Sequence, residues 1–242
     1  MEFDYPPKPA PSELWRVYPD FDHEFTKGYA ACARYTMTSP ERMYALWQAV
    51  LKVVRDGIPG DFVECGVWRG GSSMLAAHTF ADAGVTDRDI WLYDTFSGMP
   101  EPGEGDVDWA GRPAADVMAG DDPVAAELVT AEASLEEVQK ALALIEYPQE
   151  RLHFVKGLVE ETIPGEAPEQ ISILRLDTDW EASTRHELEH LWPRLSPGGV
   201  LIIDDYGHWA GARKAVDDYF AERDDAPLLV RVDYGGRVGV RR

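Results

Sequence analysis

Five short apolar runs recur along the chain, DFVECG, DIWLYD, RLHFVKG, ISILRLD and GGVLIIDD, and helical patterns lie between most of them. This alternation restricts the fold more than any other feature. Parallel strands can be joined only by a crossover, so the runs must form βαβ units around a parallel sheet. The helical patterns are TSPERMYALWQAVLKVVRDG, GGSSMLAAHTFADAG, SLEEVQKALALIE, EASTRHELEHLWPRL and AGARKAVDDYFAER. In the first, Met43, Leu46, Trp47, Val50, Leu51 and Val54 follow i, i+3, i+4 spacing. Thr38 or Ser39 can cap it, Pro40 suits its first turn and Gly57 can stop it. The closing segment PLLVRVDYGGRVGVRR has two strand-like runs around Tyr234-Gly235-Gly236 and predicts a hairpin. The expected fold is α/β, a mostly parallel seven-stranded sheet with an antiparallel hairpin strand at its C-terminal edge.

Two stretches fall outside the alternation. Residues 1–30 are rich in proline and carry Phe3, Tyr5, Trp15, Tyr18, Phe21 and Phe25. That much apolar area predicts an arm docked on a surface rather than a solvated tail. Residues 95–133 follow the C-terminal end of the second run and are rich in Gly, Pro and Asp. Open α/β sheets bind ligands at that edge, so a lid is expected. The rest, residues 31–242, reads as one domain. Lys plus Arg is 23 and Asp plus Glu is 44, a net charge of −21. That charge disfavours nucleic acid and anionic membrane as partners. Cys32 and Cys65 are too few for a disulfide scaffold. The first residues lack the basic start and apolar middle of a secretory signal, and no apolar run approaches ~18 residues, so a cytoplasmic protein is expected.

The turn after the first run reads Glu64-Cys65-Gly66-Val67-Trp68-Arg69-Gly70-Gly71-Ser72. Gly66 permits a tight turn, and Gly70 and Gly71 clear space for a ligand or the next helix. Trp68 stands where a pyrophosphate needs bare backbone, which disfavours a dinucleotide. A small zwitterionic group fits better, with loop amides for its carboxylate and Glu64 near its ammonium. Asp94 ends the second run, where an acid can accept both hydroxyls of a ribose. Gly157, at the corner after the third run, lies near the adenine in a nucleotide fold or simply stops a strand.

Asp177-Thr178-Asp179 ends the fourth run and Asp204-Asp205 the fifth. Adjacent parallel strands lie ~4.8 Å apart, so these carboxyls crowd one rim. Like charges this close raise each other's pKa unless a cation sits among them. Oxygen ligands favour a hard cation such as Mg²⁺, with Ca²⁺ or Mn²⁺ as alternatives. Solvated helix caps are the bland reading. His208 and Trp209 follow on the same rim, and His208 is the second candidate base because imidazole titrates near neutrality. His186-Glu187-Leu188-Glu189-His190 matches the H-E-x-x-H zinc pattern. At ~100° per residue both histidines lie about 160° from Leu188, so they are expected to face solvent and bind no zinc.

The blocks RYTMTSPERM, DFVECGVWRGGSS, LYDTFSGMPEP, FVKGLVEETIP, ILRLDTDWEAST and LSPGGVLIIDDYGHWAGARKAVDDYF together resemble the macrocin O-methyltransferase family. The resemblance runs from about residue 30 to 222. It implies a Rossmann-like class I methyltransferase, S-adenosylmethionine as donor and Mg²⁺ held by strand-end aspartates. The implied ligands are Asp177, Asp204 and Asp205, with Asp179 as general base. Glu64, Gly66, Ser72, Asp94 and Ser97 fall in donor-binding blocks, and Met37 and Thr38 are expected to close over the donor. The family often has D-G-D where this chain has Thr178. The implied reaction is methylation of a sugar hydroxyl on a glycosylated natural product, by a homo-oligomer if the apolar arm makes subunit contacts. A metal-dependent O-methyltransferase for a catechol-like aromatic remains the alternative. A nucleotide-binding dehydrogenase is disfavoured by Trp68, and a non-catalytic binding module by the rim aspartates.

Overall fold

The computed structural model describes residues 9–120 and 129–242. The five apolar runs form β1 (Asp61–Cys65), β2 (Ile90–Asp94), β3 (Leu152–Lys156), β4 (Ile171–Leu176) and β5 (Leu195–Ile203). All pair in parallel, and β1, β4 and β5 in the middle of the sheet are buried on both faces, which is why they read as continuous apolar runs, while β3 forms a half-buried edge. Successive residues alternate between two cores. Phe62, Leu92, Ile173 and Ile202 face one side, while Val63, Tyr93, Leu174 and Ile203 face the other. The first core is covered by α2 (His23–Cys32), α3 (Pro40–Arg55), α4 (Gly71–Asp82) and α6 (Leu135–Leu142). The second is covered by α7 (Val159–Thr162), α8 (Glu181–Leu191) and α9 (Ala210–Phe220). Short helices also form at α1 (Leu14–Val17) and α5 (Ala114–Met118).

The closing hairpin is β6 (Val230–Arg231) and β7 (Arg237–Val240), giving the seven-stranded order β3-β2-β1-β4-β5-β7-β6. β7 runs antiparallel against β5, so the later strand is the inner one and the two-residue β6 forms the edge. Asp233 shapes the intervening turn, accepting the amides of Gly235 and Gly236 at 2.9 and 2.6 Å.

Phe3 and Tyr5 lie outside the described residues; of the other aromatics of the first segment Trp15 is exposed, Tyr18 and Phe21 are half-buried and Phe25 is interior. α2 runs across residue 30. Phe25 is fully buried, with its ring centroid 5.0 Å from those of Phe21 and Tyr44 and 5.9 Å from that of Trp47. The segment after β2 is stitched to the two helices whose N-termini border the acidic rim. Its Asp106 accepts the Glu181 amide at 2.9 Å, its Val107 carbonyl accepts the Ala210 amide at 2.9 Å, and its Pro100 carbonyl accepts the Trp180 indole N–H at 3.1 Å. Residues 121–128 of the expected lid lie outside the described residues.

Because Phe25 belongs to the main core, Phe25→Ala is expected to lower the unfolding free energy by about 3–5 kcal/mol in urea. A loss below about 1 kcal/mol would show that this segment is not part of the cooperative unit.

Candidate active site

The glycine loop joins β1 to α4. At Gly66 the backbone has φ +82°, and a Cβ would come 1.9 Å from the Asp177 carbonyl oxygen. Only glycine lets the ends of β1 and β4 approach this closely. Gly70 caps α4 at φ +88°. Asp94 fixes the loop between them, its Oδ2 accepting the amides of Val67 and Trp68 at 2.7 and 3.0 Å and its Oδ1 the Phe96 amide at 2.7 Å. Sequence reasoning put Asp94 against a ribose; the structure shows it holding the turn as well. Gly157 is beside it, donating its amide to the Asp94 carbonyl at 3.0 Å. Ser97 is exposed next to this corner, Met37 is half-buried, and Ser72 is buried in the first turn of α4.

Glu64 departs from its expected place near a ligand ammonium. It is fully buried, and its side chain follows Phe62 toward the α3–α4 side. There its Oε1 accepts from Arg175 Nη1 at 2.7 Å and its other oxygen from the Ser73 hydroxyl. Burial pushes its carboxyl up to about 7 although the Arg175 charge opposes this. Arg175 was missed, yet ISILRLD carries the signal: a lone cation inside an apolar strand needs buried partners. Its guanidinium also reaches Asp177 Oδ2, Asp204 Oδ1 at 2.7 Å each, and the Thr38 hydroxyl at 2.8 Å. Thr38 is therefore held by the network rather than free to close over a donor. Arg42 of α3 adds ion pairs to Asp204 and, at 3.0 Å, to Asp233.

This network corrects the expected ligand set. Adjacent residues at a strand end face opposite sides of the pleat. Asp204 turns with Ile202 to the arginine side, where both its oxygens are taken. Asp205 stays on the rim. The carboxylates that converge are Asp177, Asp179 and Asp205, with one oxygen of each within 4.8 Å of the others. Asp179 has φ +66°, a left-handed conformation that costs an L-residue but that Asp tolerates better than most. It is hydrogen-bonded to Asp205 and to the Trp209 indole. Burial pushes Asp177 up to about 6 and Asp179 up to about 7, reinforced by Asp204 and Asp177 respectively. Burial and the Asp179 charge push Asp205 well up. Asp205 Oδ2 is buried with no hydrogen-bond partner among the described residues. An all-oxygen group with an orphaned oxygen and surplus negative charge fits a hard divalent cation.

His208 sits at the same rim with its Nδ1 3.0 Å from the Tyr234 hydroxyl. Burial pushes its imidazole down to about 4, so it is neutral and a weaker base than Asp179 at pH 7. The two histidines of the HELEH run are half-buried rather than solvent-facing, because the buried stripe of α8 includes Thr184 and Glu187 as well as Leu188 and Leu191. His186 Nε2 lies 2.8 Å from the Ile163 carbonyl. Neither histidine joins a group of three metal-binding side chains among the described residues.

The raised acids make stability depend on pH. Their folded-state pKa values exceed the reference 3.8, so protonation favours the fold. That contribution is complete below about pH 4 and is lost as pH rises through 6 and 7. A divalent cation bound to the group would offset the lost protons. MgCl₂ against EDTA is therefore expected to raise the Tm by several degrees at pH 7.5 and by little at pH 5. Equal shifts at both values, or none at pH 7.5, would contradict a cation in this group.

The family described as Macrocin-O-methyltransferase (TylF) matches residues 23–239. Demethyldecarbamoylnovobiocin O-methyltransferase of Streptomyces niveus is 33% identical over 204 residues, 84% of this chain and 74% of that protein. The 8-demethyl-8-(2,3-dimethoxy-alpha-L-rhamnosyl)-tetracenomycin-C 4'-O-methyltransferase of Streptomyces olivaceus is 36% identical over 219 residues, 90% of this chain and 75% of that protein. Among solved structures, the O-methyltransferase NovP superposes with a TM-score of 0.73 at 34% identity, covering 86% of this chain and 82% of that one. With a glycine loop, an acidic strand-end group and a β3-β2-β1-β4-β5-β7-β6 sheet in one frame, the chain belongs to the macrocin O-methyltransferase family.

Proposed function

We propose that the protein transfers a methyl group from S-adenosylmethionine to a sugar hydroxyl of a bacterial natural product, with a divalent cation at the acidic rim. The observation that carries this reading is the convergence of Asp177, Asp179 and Asp205, one with an orphaned oxygen, on the strand-end edge that also bears the glycine loop. The Streptomyces olivaceus relative is named for the 4'-O-methylation of a rhamnosyl-bearing compound, which supports a sugar hydroxyl as acceptor.

Asp94 and the Gly66–Gly70 turn shape the donor cleft, with Gly157, Ser97 and Met37 at its border. S-adenosylmethionine brings the methyl group on a sulfonium, which leaves as a neutral thioether. Asp177 and Asp205 would hold the cation, whose charge favours the alkoxide form of a neighbouring hydroxyl. Asp204, held by Arg42 and Arg175, neutralises those guanidinium groups. Asp179 accepts the proton of the acceptor hydroxyl at a carboxylate oxygen. Burial raises its carboxyl above the usual carboxylate range, the direction a general base at neutral pH needs. The Trp209 indole fixes its orientation.

With an acceptor found by screening glycosylated natural products, Asp179→Asn is expected to lower kcat by about 10²-fold or more while S-adenosylhomocysteine binding is kept. Added Mg²⁺ should not rescue it. Turnover near wild type would move the base elsewhere, and full wild-type activity in EDTA would remove the cation from the reaction.

A further inference from the structure

The glutamate of the HELEH run has no part in the reaction above, yet it is fully buried behind the acidic rim. Acids are rarely buried unless paired, so its partners define its purpose. Glu187 Oε1 accepts the Thr178 hydroxyl at 2.9 Å, its Oε2 has no hydrogen-bond partner among the described residues, and the carboxyl lies near enough to the Cys65 thiol for each to act on the other's charge. Cys65 is the last residue of β1, immediately before Gly66, and Thr178 lies between Asp177 and Asp179. One side chain of α8 thus holds the acidic turn beside the origin of the glycine loop. It does so where the strand ends already touch, the Asp177 amide donating to the Cys65 carbonyl at 2.8 Å. The Thr178 carbonyl is held as well, accepting from the Trp180 amide at 2.7 Å and the Ser183 hydroxyl at 3.3 Å. Asp179 follows at φ +66°, a strained conformation that persists only when its surroundings impose it.

We infer that Glu187 is a positioning residue: through the Thr178 hydroxyl it holds Asp179 in its left-handed conformation, with its carboxylate directed at Asp177 and Asp205. Neither Glu187 nor Thr178 touches the reacting atoms. The hydroxyl supplies the handle that a glycine in the middle of the D-x-D turn lacks, and the β-branch limits its rotamers. The inference rests on the proposed role of Asp179, and its test separates the two.

Thr178→Val keeps the shape and removes the hydroxyl, while Thr178→Ser keeps the hydroxyl. The valine variant is expected to lower kcat about tenfold with the KM for S-adenosylmethionine unchanged, and to weaken Mn²⁺ binding, followed by calorimetry, by about fivefold. The serine variant should stay within about twofold of wild type in both, and Glu187→Leu should match valine. Glu187→Leu combined with Thr178→Val should be no worse than either alone, since both remove one bond. Thr178→Ala provides the same comparison should valine not fold. A merely stabilising contact would lower the Tm and leave kcat and Mn²⁺ affinity intact below it. That pattern, or wild-type kcat and Mn²⁺ affinity in Thr178→Val, would overturn the inference. Asp179→Asn, run alongside, distinguishes the failures. If it turns over normally, the base assignment has failed; if it is inactive while Thr178→Val is unimpaired, only the positioning role has.

Discussion

A guanidinium buried in the centre of the sheet is the constraint on which the rest of the structure depends. Arg175 cannot leave water without partners, and the fold supplies them from four directions. Glu64 comes from the residue directly across on β1, Asp177 from two positions further along β4, Asp204 from β5, and Thr38 from the segment before α3. Arg42 extends the network to Asp233 in the hairpin turn. Strand register, the docking of α3 and the closing hairpin are thereby tied to a single charge cluster. Removing Glu64 or Asp204 alone would leave a buried cation under-paired, which is why both acids are fixed inward rather than offered to ligand.

The same cluster decides where negative charge remains. Arg42 and Arg175 contact Glu64, Asp177, Asp204 and Asp233, and no cationic side chain forms an ion pair with Asp179 or Asp205 among the described residues. The surplus collects on the rim, where burial and mutual repulsion raise three carboxyls together. The segment over the rim is anchored at the starts of α8 and α9, the helices that follow the two acidic strand ends. A shift of that segment therefore acts on the helix starts beside Asp179 and Trp209 rather than on a remote surface.

Much of this was legible in the sequence because its signals are local. Apolar runs punctuated by Gly and Asp locate the strands, and a glycine at a strand end announces the loop. The orientation of Asp204 was also available in principle, since Asp204 and Asp205 are adjacent and the pleat sends neighbours to opposite faces. The family resemblance grouped them nonetheless. Arg175 stood out as the one charge within its apolar run, but its partners lie on strands and helices far away in sequence. Glu187 was hidden because the buried stripe of α8 was centred on Leu188, one step from its true middle. The inner position of β7 depends on pairing with β5, which no local pattern encodes.

The central claim is that Asp177, Asp179 and Asp205 form a cation site, Asp177 sharing its charge with Arg175, while Asp204 belongs to the arginines. Anomalous diffraction from crystals grown with Mn²⁺ and S-adenosylhomocysteine measures this directly. The account predicts one peak bonded to Asp177 and Asp205, beside Asp179, with Asp204 still paired to Arg42 and Arg175. No peak at saturating Mn²⁺, or a peak that draws Asp204 away from both arginines, would contradict it.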